Sequence, residues 1–131
     1  MRLNPDCIRA VLVEMEKADY MQQLQMQTIY DQLPKYSRSD IDYSVIKMHE
    51  AGLIDAVIKP IKGNYPAILS LKDITYSGHQ FLANIREDNI WNDVKGVAKK
   101  VGSSSVDAIM QIASNVIAEL IKAQFKLSGV Q

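Results

Sequence analysis

Ile41-Asp42-Tyr43-Ser44-Val45-Ile46-Lys47-Met48-His49-Glu50-Ala51-Gly52-Leu53-Ile54-Asp55-Ala56-Val57 is the stretch from which the fold of this chain is read. Ile41, Val45, Met48 and Gly52 follow one another at steps of four, three and four, which places them on one side of an α-helix. Gly52 then leaves that helix in the left-handed conformation that glycine adopts without strain. Leu53 to Val57 follows as a candidate strand. Upstream, Ser37 pairs with Asp40 and Ser39 with Asp42 at the spacing of a capping box, Asp standing in for Glu, so the helix begins at Ser37 or Ser39. Downstream, residues 59–66 carry Pro60, Gly63, Asn64 and Pro66 as turn residues, and residues 67–71 form a second strand. Helix, glycine exit and a hairpin with a basic loop is the local pattern.

Outward from it, Asn4, Pro5 and Asp6 mark a helix start, because Asn accepts a hydrogen bond from an orphan amide and proline at the first helical position loses nothing. The spacing of Ile8, Val11, Leu12 and Met15 predicts a packing helix over residues 5–17. Residues 23–28 alternate polar and apolar, the period of a half-buried strand. Thr28 and Asp31 then open a brief helical turn over residues 29–33 that Pro34 stops. On the C-terminal side Thr75 opens a helix over residues 76–86 with Phe81, Leu82 and Ile85 as its buried face. Asp88 caps a further helix whose stripe is Trp91, Val94, Val97, Ala98 and Val101 and whose end is Gly102. Ser104 with Asp107 repeats the capping-box spacing before a last helix running to Leu127. Residues 108–118 of that helix carry no charge, but Gln111, Ser114 and Asn115 interrupt the run and a spanning helix needs ~20 apolar residues.

Composition bounds the class. The chain has 131 residues, 15 Lys plus Arg against 15 Asp plus Glu, 47% hydrophobic and 23% charged residues, values that suit one folded domain and exclude a disordered chain. A solitary Cys7 forms no internal disulfide, and His49 and His79 are a poor metal inventory, so neither a disulfide scaffold nor a zinc ribbon is expected. No cofactor and no metal is expected. Asp6, Glu14 and Glu16 stand where a signal peptide needs its apolar core, and the expected location is the reducing cytoplasm, with no membrane association.

A helix, a short strand and turn, a second helix ending at Gly52 and then a hairpin is the element order of a winged helix. The fold expected is therefore α+β: a winged helix-turn-helix with a small β-hairpin wing and a helical C-terminal extension. Residues 1–75 form the winged-helix core, and residues 76–131 form the extension, packed on it as a single structural unit. A two-stranded hairpin is marginal by itself, so Ile54, Val57, Ile68 and Leu71 need the cover of the first two helices.

Ile74, Thr75, Tyr76, Ser77, Gly78, His79, Gln80, Phe81 and Leu82, continued by Ile85 to Trp91 and by Lys99 to Ser103, resemble the hallmark stretch of an uncharacterised winged-helix family, a domain of unknown function. That family occurs in low-GC Gram-positive bacteria and their phages and prophages. The resemblance runs from Leu3, Asn4, Pro5 and Asp6 through Ile41, Asp42, Tyr43 and the Ala51 to Ile54 exit to the last helix. Ser44 stands where the family pattern has a histidine. What the resemblance implies is a winged-helix fold and a phage or prophage setting, without an activity.

Two functions compete. As a small transcription-regulator-like protein binding duplex DNA, the chain would approach the groove with Arg38, Tyr43 and Lys47 and hold phosphates with Lys59 and Lys62. Against this, residues 1–75 hold nine basic and ten acidic side chains, whereas phosphate contacts usually dominate affinity for DNA; Asp40 and Asp42, in the first turn of the middle helix, would face phosphate. The alternative is a module that binds a host or phage protein and dimerises through its last helix, where Ile109, Val116, Leu120 and Leu127 belong to a seam of alternating three and four spacings. Enzyme chemistry is not expected: the sequence identifies no orienting partner for His79, near Ser77, and Glu87 and Asp88 read as helix-start charges. There is no P-loop, dinucleotide fingerprint or HExxH.

Overall fold

Asn4 accepts a hydrogen bond from the Cys7 amide at 3.3 Å, Pro5 takes the first position, and α1 runs over Pro5–Glu16. In the computed structural model, which describes residues 1–129, α1 is followed by α2 (Met26–Gln32), α3 (Arg38–Glu50), β1 (Ile54–Lys59), β2 (Ala67–Ile74), α4 (Tyr76–Ile85), α5 (Asp88–Val101) and α6 (Val106–Leu127). The architecture among these residues is α+β, six helices and one two-stranded antiparallel sheet, an order compatible with a winged-helix-like fold. Two compact units divide the chain, Met1–Leu82 and Ala83–Gln131.

In the first unit, α1 packs on α2, α3 and β2, α3 on β1, and α2 on β2. Its interior holds Val11 and Leu12 of α1, Ile29 of α2, Ile41, Val45 and Met48 of α3, and Leu53 and Leu71, all at most 1% exposed. Ser37 caps α3 by accepting from the Asp40 amide at 3.1 Å. At the other end Gly52 has φ +76°, its amide reaching the His49 carbonyl at 3.1 Å and the Leu53 amide reaching the Met48 carbonyl at 2.9 Å. Those two bonds form the closing pattern that lets a helix turn straight into another element, here β1. The strand register pairs Ile54 with Ile74 and Lys59 with Ala67, with irregularities at Asp55/Ala56 and Val57/Ile58.

Two sequence expectations for this unit change. Of the alternating run 23–28 only Leu24 pairs, through an isolated bridge to Leu71 with N–O distances of 2.9 and 2.8 Å. Met26 is already helical, because Met26 and Ile29 share one helical side and bury it together, to 7% and 1% exposure; that burial outweighs the weak two-residue period. Val57 is exposed instead of covered. Three positions from Ile54, it falls on the opposite side of the strand, and the register irregularities do not bring it back.

The first turns of α4 are tied to the exit of α3. Thr75 accepts from the Gly78 amide at 3.1 Å and donates its hydroxyl to the Gly52 carbonyl at 2.6 Å, while its amide reaches the Leu53 carbonyl at 3.0 Å. The first unit runs on to Leu82.

In the second unit α5 and α6 pack against each other and bury Trp91, Val94 and Ala98 with Val106, Ile109 and Ala113. The N-cap of α5 is Glu87, with Asp88 already inside the helix, and Val97 and Val101 of the expected stripe are exposed. Gly102 ends α5 at φ +72°. Ser105, not Ser104, caps α6, accepting from the Ala108 amide at 3.1 Å. With 22 residues against 14, α6 outruns α5 by about 12 Å at ~1.5 Å per residue. Among the described residues no helix is long and apolar enough to cross a membrane.

Candidate nucleic-acid interface

α3 buries Ile41, Ser44, Val45 and Met48. With 3.6 residues per turn, the opposite side of the helix is formed by Ser39, Tyr43, Ile46 and Glu50, with Lys47 at its margin. Ser39 and Glu50 are exposed, and Tyr43, Ile46 and Lys47 are half-buried. Ser44 is 1% exposed and belongs to the interior side.

The charges on α3 are already engaged. Arg38 is exposed on the flank of the helix, and its guanidinium lies 4.8 Å from the centre of the Tyr30 ring. The Tyr30 hydroxyl donates to the Asp42 carboxylate. Burial first, then this hydrogen bond and the Asp42 charge, push the Tyr30 hydroxyl up to about 12, with Arg38 pulling the other way. Asp40 acts electrostatically on Cys7 of α1, whose thiol is pushed up chiefly by its burial. Asp42 is thus turned to Tyr30 of α2, twelve residues away in sequence and without a marker in any local pattern.

Lys47 bonds to Glu50 at 3.0 Å and stands 5.4 Å from the centre of the Tyr43 ring. The Glu50 hydrogen bond is the main cause holding the Lys47 ammonium above its ordinary range. Lys59 closes β1, and Lys62 lies in the loop of residues 60–66; both are exposed, and neither has an ion-pair partner among the described residues. Around them the hairpin presents apolar groups that no sequence period marks: Ile61 is 44%, Tyr65 91% and Leu69 50% exposed. All five residues read from the sequence for DNA, Arg38, Tyr43, Lys47, Lys59 and Lys62, thus lie at the surface of the first unit, wholly or in part.

The residues read for self-association divide. Ile109 is 2% exposed within the single chain and is already covered, Val116 is half-buried, and Leu120 and Leu127 are exposed. Ile121 and Phe125, at 50% and 52%, join them at the end of α6. His79 is exposed on α4. Among the described residues no group of three or more His, Cys, Asp and Glu side chains is placed to hold a metal ion.

A capped helix buried on one side, a glycine exit and a lysine-bearing hairpin define the class to which these features point, a small α+β protein. The chain belongs to the DUF2513 family of hypothetical proteins, whose model matches residues 2–105, that is, every element before α6. It is also similar to an uncharacterized protein of Haemophilus influenzae, with 29% identity over 122 residues that cover 92% of this chain and 99% of the relative. No solved structure matches the chain.

Proposed function

We propose that Met1–Leu82 is a winged helix-turn-helix domain whose hairpin is the wing, and that the protein is a small, non-enzymatic, cytoplasmic, transcription-regulator-like protein of phage or prophage setting that binds duplex DNA. The observation that supports this reading is the diversion of Asp42 into the Tyr30 hydroxyl. It engages a carboxylate in the first half of α3 within the chain, and the exposed Lys59 and Lys62 would act on the backbone. A net charge of minus one over residues 1–82 makes the expected affinity modest and strongly dependent on salt. Gel shift of a mixed-sequence duplex over a salt series tests it. Lys59→Ala with Lys62→Ala should lower the slope of log affinity against log salt by about 2, close to one for each phosphate that is no longer neutralised. No shift at micromolar protein and low salt refutes the reading.

The second reading is a module for a host or phage protein that pairs through α6. The apolar end of α6, with Leu120, Ile121, Phe125 and Leu127 exposed, favours it. Light scattering decides on self-association: a dimer that Leu120→Glu makes monomeric supports it, and a monomeric wild type refutes it.

A further inference from the structure

Resting on the duplex-binding reading, we infer that the preferred ligand is an A·T-rich duplex whose thymine methyl groups are read by Ile46 and Tyr43 of α3. In the major groove, guanine is met by a bidentate Arg or Lys, adenine by a bidentate Asn or Gln, and thymine by an apolar contact to its C5 methyl. The outward side of α3, Ser39, Tyr43, Ile46, Lys47 and Glu50, contains no Arg, Asn or Gln. Arg38 is held on the flank over Tyr30 at 4.8 Å, and Lys47 is held by Glu50 at 3.0 Å. What is left to touch base edges is two hydroxyl groups, the Tyr43 ring and the methyl groups of Ile46. An isoleucine opposite the buried side is not called for by the core of this helix, and it is only half-buried. Glu50 is able to accept from cytosine N4, yet it closes α3, one turn beyond Ile46.

The hairpin points the same way independently. A·T-rich segments have a narrow minor groove whose enhanced negative potential attracts basic side chains, and their TA steps unstack readily around apolar groups. Lys59 and Lys62 flank Ile61, and Tyr65, 91% exposed, lies three residues further on. This is a tip that carries both the cations and the wedge.

The test is fluorescence anisotropy of the full chain with three duplexes of equal length at one salt concentration: A·T-rich, the same sequence with deoxyuridine in place of thymidine, and G·C-rich. The A·T-rich duplex should bind tightest, and removing the methyls should cost about fourfold in affinity for each one touched. Ile46→Ala, with its fold checked by circular dichroism, should shrink the thymine-to-uracil ratio. Equal affinity for all three duplexes overturns the inference and leaves duplex binding standing; no binding to any of them overturns both. An undiminished thymine-to-uracil ratio in Ile46→Ala overturns the part given to Ile46.

Discussion

Replacing Gly78 by alanine tests how α4 is joined to the exit of α3. A Cβ built at Gly78 falls 2.0 Å from the Leu53 carbonyl oxygen and 2.6 Å from Ile74 Cγ2, where real Cβ contacts essentially never come below 3.0 Å. The start of α4 must therefore retreat by about 1 Å or more from a carbonyl that accepts from the Thr75 amide at 3.0 Å, and the Thr75 hydroxyl bond to Gly52 at 2.6 Å moves with it. Forcing an extra carbon into a packed site costs about 1–3 kcal/mol, and two strained or broken hydrogen bonds cost about 1 kcal/mol each. Alanine returns about 1 kcal/mol through its helix propensity. The net expectation is a loss of about 2–4 kcal/mol, a large share of the ~5–15 kcal/mol that holds a domain folded. Urea unfolding followed by far-UV circular dichroism reads it as a midpoint lowered by about 1–2 M for a slope of ~2 kcal/mol/M. Gly96→Ala supplies the internal contrast. Gly96 lies in α5 with nothing within 4 Å of its built Cβ, so that substitution should stabilise by about 0.5–1 kcal/mol. A Gly78→Ala midpoint at or above the wild type would refute the close approach.

Two further expectations concern titrating groups. Tyr30, raised from 10.0 to about 12 in the folded chain, is protonated in both states below pH 10 and there contributes its full stabilisation; between about pH 10 and 12 the unfolded chain gives up its proton first, so stability falls as pH rises through that window. Tyr30→Phe should remove that part of the alkaline slope in urea midpoints, and an unchanged slope in the variant contradicts the raised Tyr30 hydroxyl. Cys7, 0% exposed and with its thiol raised by burial, should react with a thiol reagent at neutral pH only as fast as the chain opens. Labelling of the native protein at the rate of a free cysteine would contradict that burial.

How much of the site was legible follows from the range over which each signal acts. Arg38, Tyr43, Lys47, Lys59 and Lys62 were found because the helix period and the turn residues say which positions avoid the core, and that holds whatever the core packs against. Tyr65 of the hairpin is legible in the same way, but the withdrawal of Asp42, the half-buried Ile46 and the exposure of Ile61 and Leu69 are not. Each depends on where α2 and the strands lie in space, and Tyr30 carries no mark in sequence that it will reach Asp42. The covered state of Ile109 beside the open end of α6 has the same origin. A seam spacing identifies a side of a helix, but the lengths of α5 and α6 settle how much of that side one chain covers.

By itself the sequence determined the start at Asn4, narrowed the next to Ser37 or Ser39, and determined the glycine exits at 52 and 102 and the hairpin, since caps, left-handed glycines and turns are bonds made within a few residues of one another. Tertiary structure alone decided that Met26 joins a helix, that Val57 faces outward, that position 78 admits only a hydrogen, and that Asp42 belongs to Tyr30. In the last two cases the deciding atoms lie more than ten residues apart along the chain, and only packing fixes the distance between them.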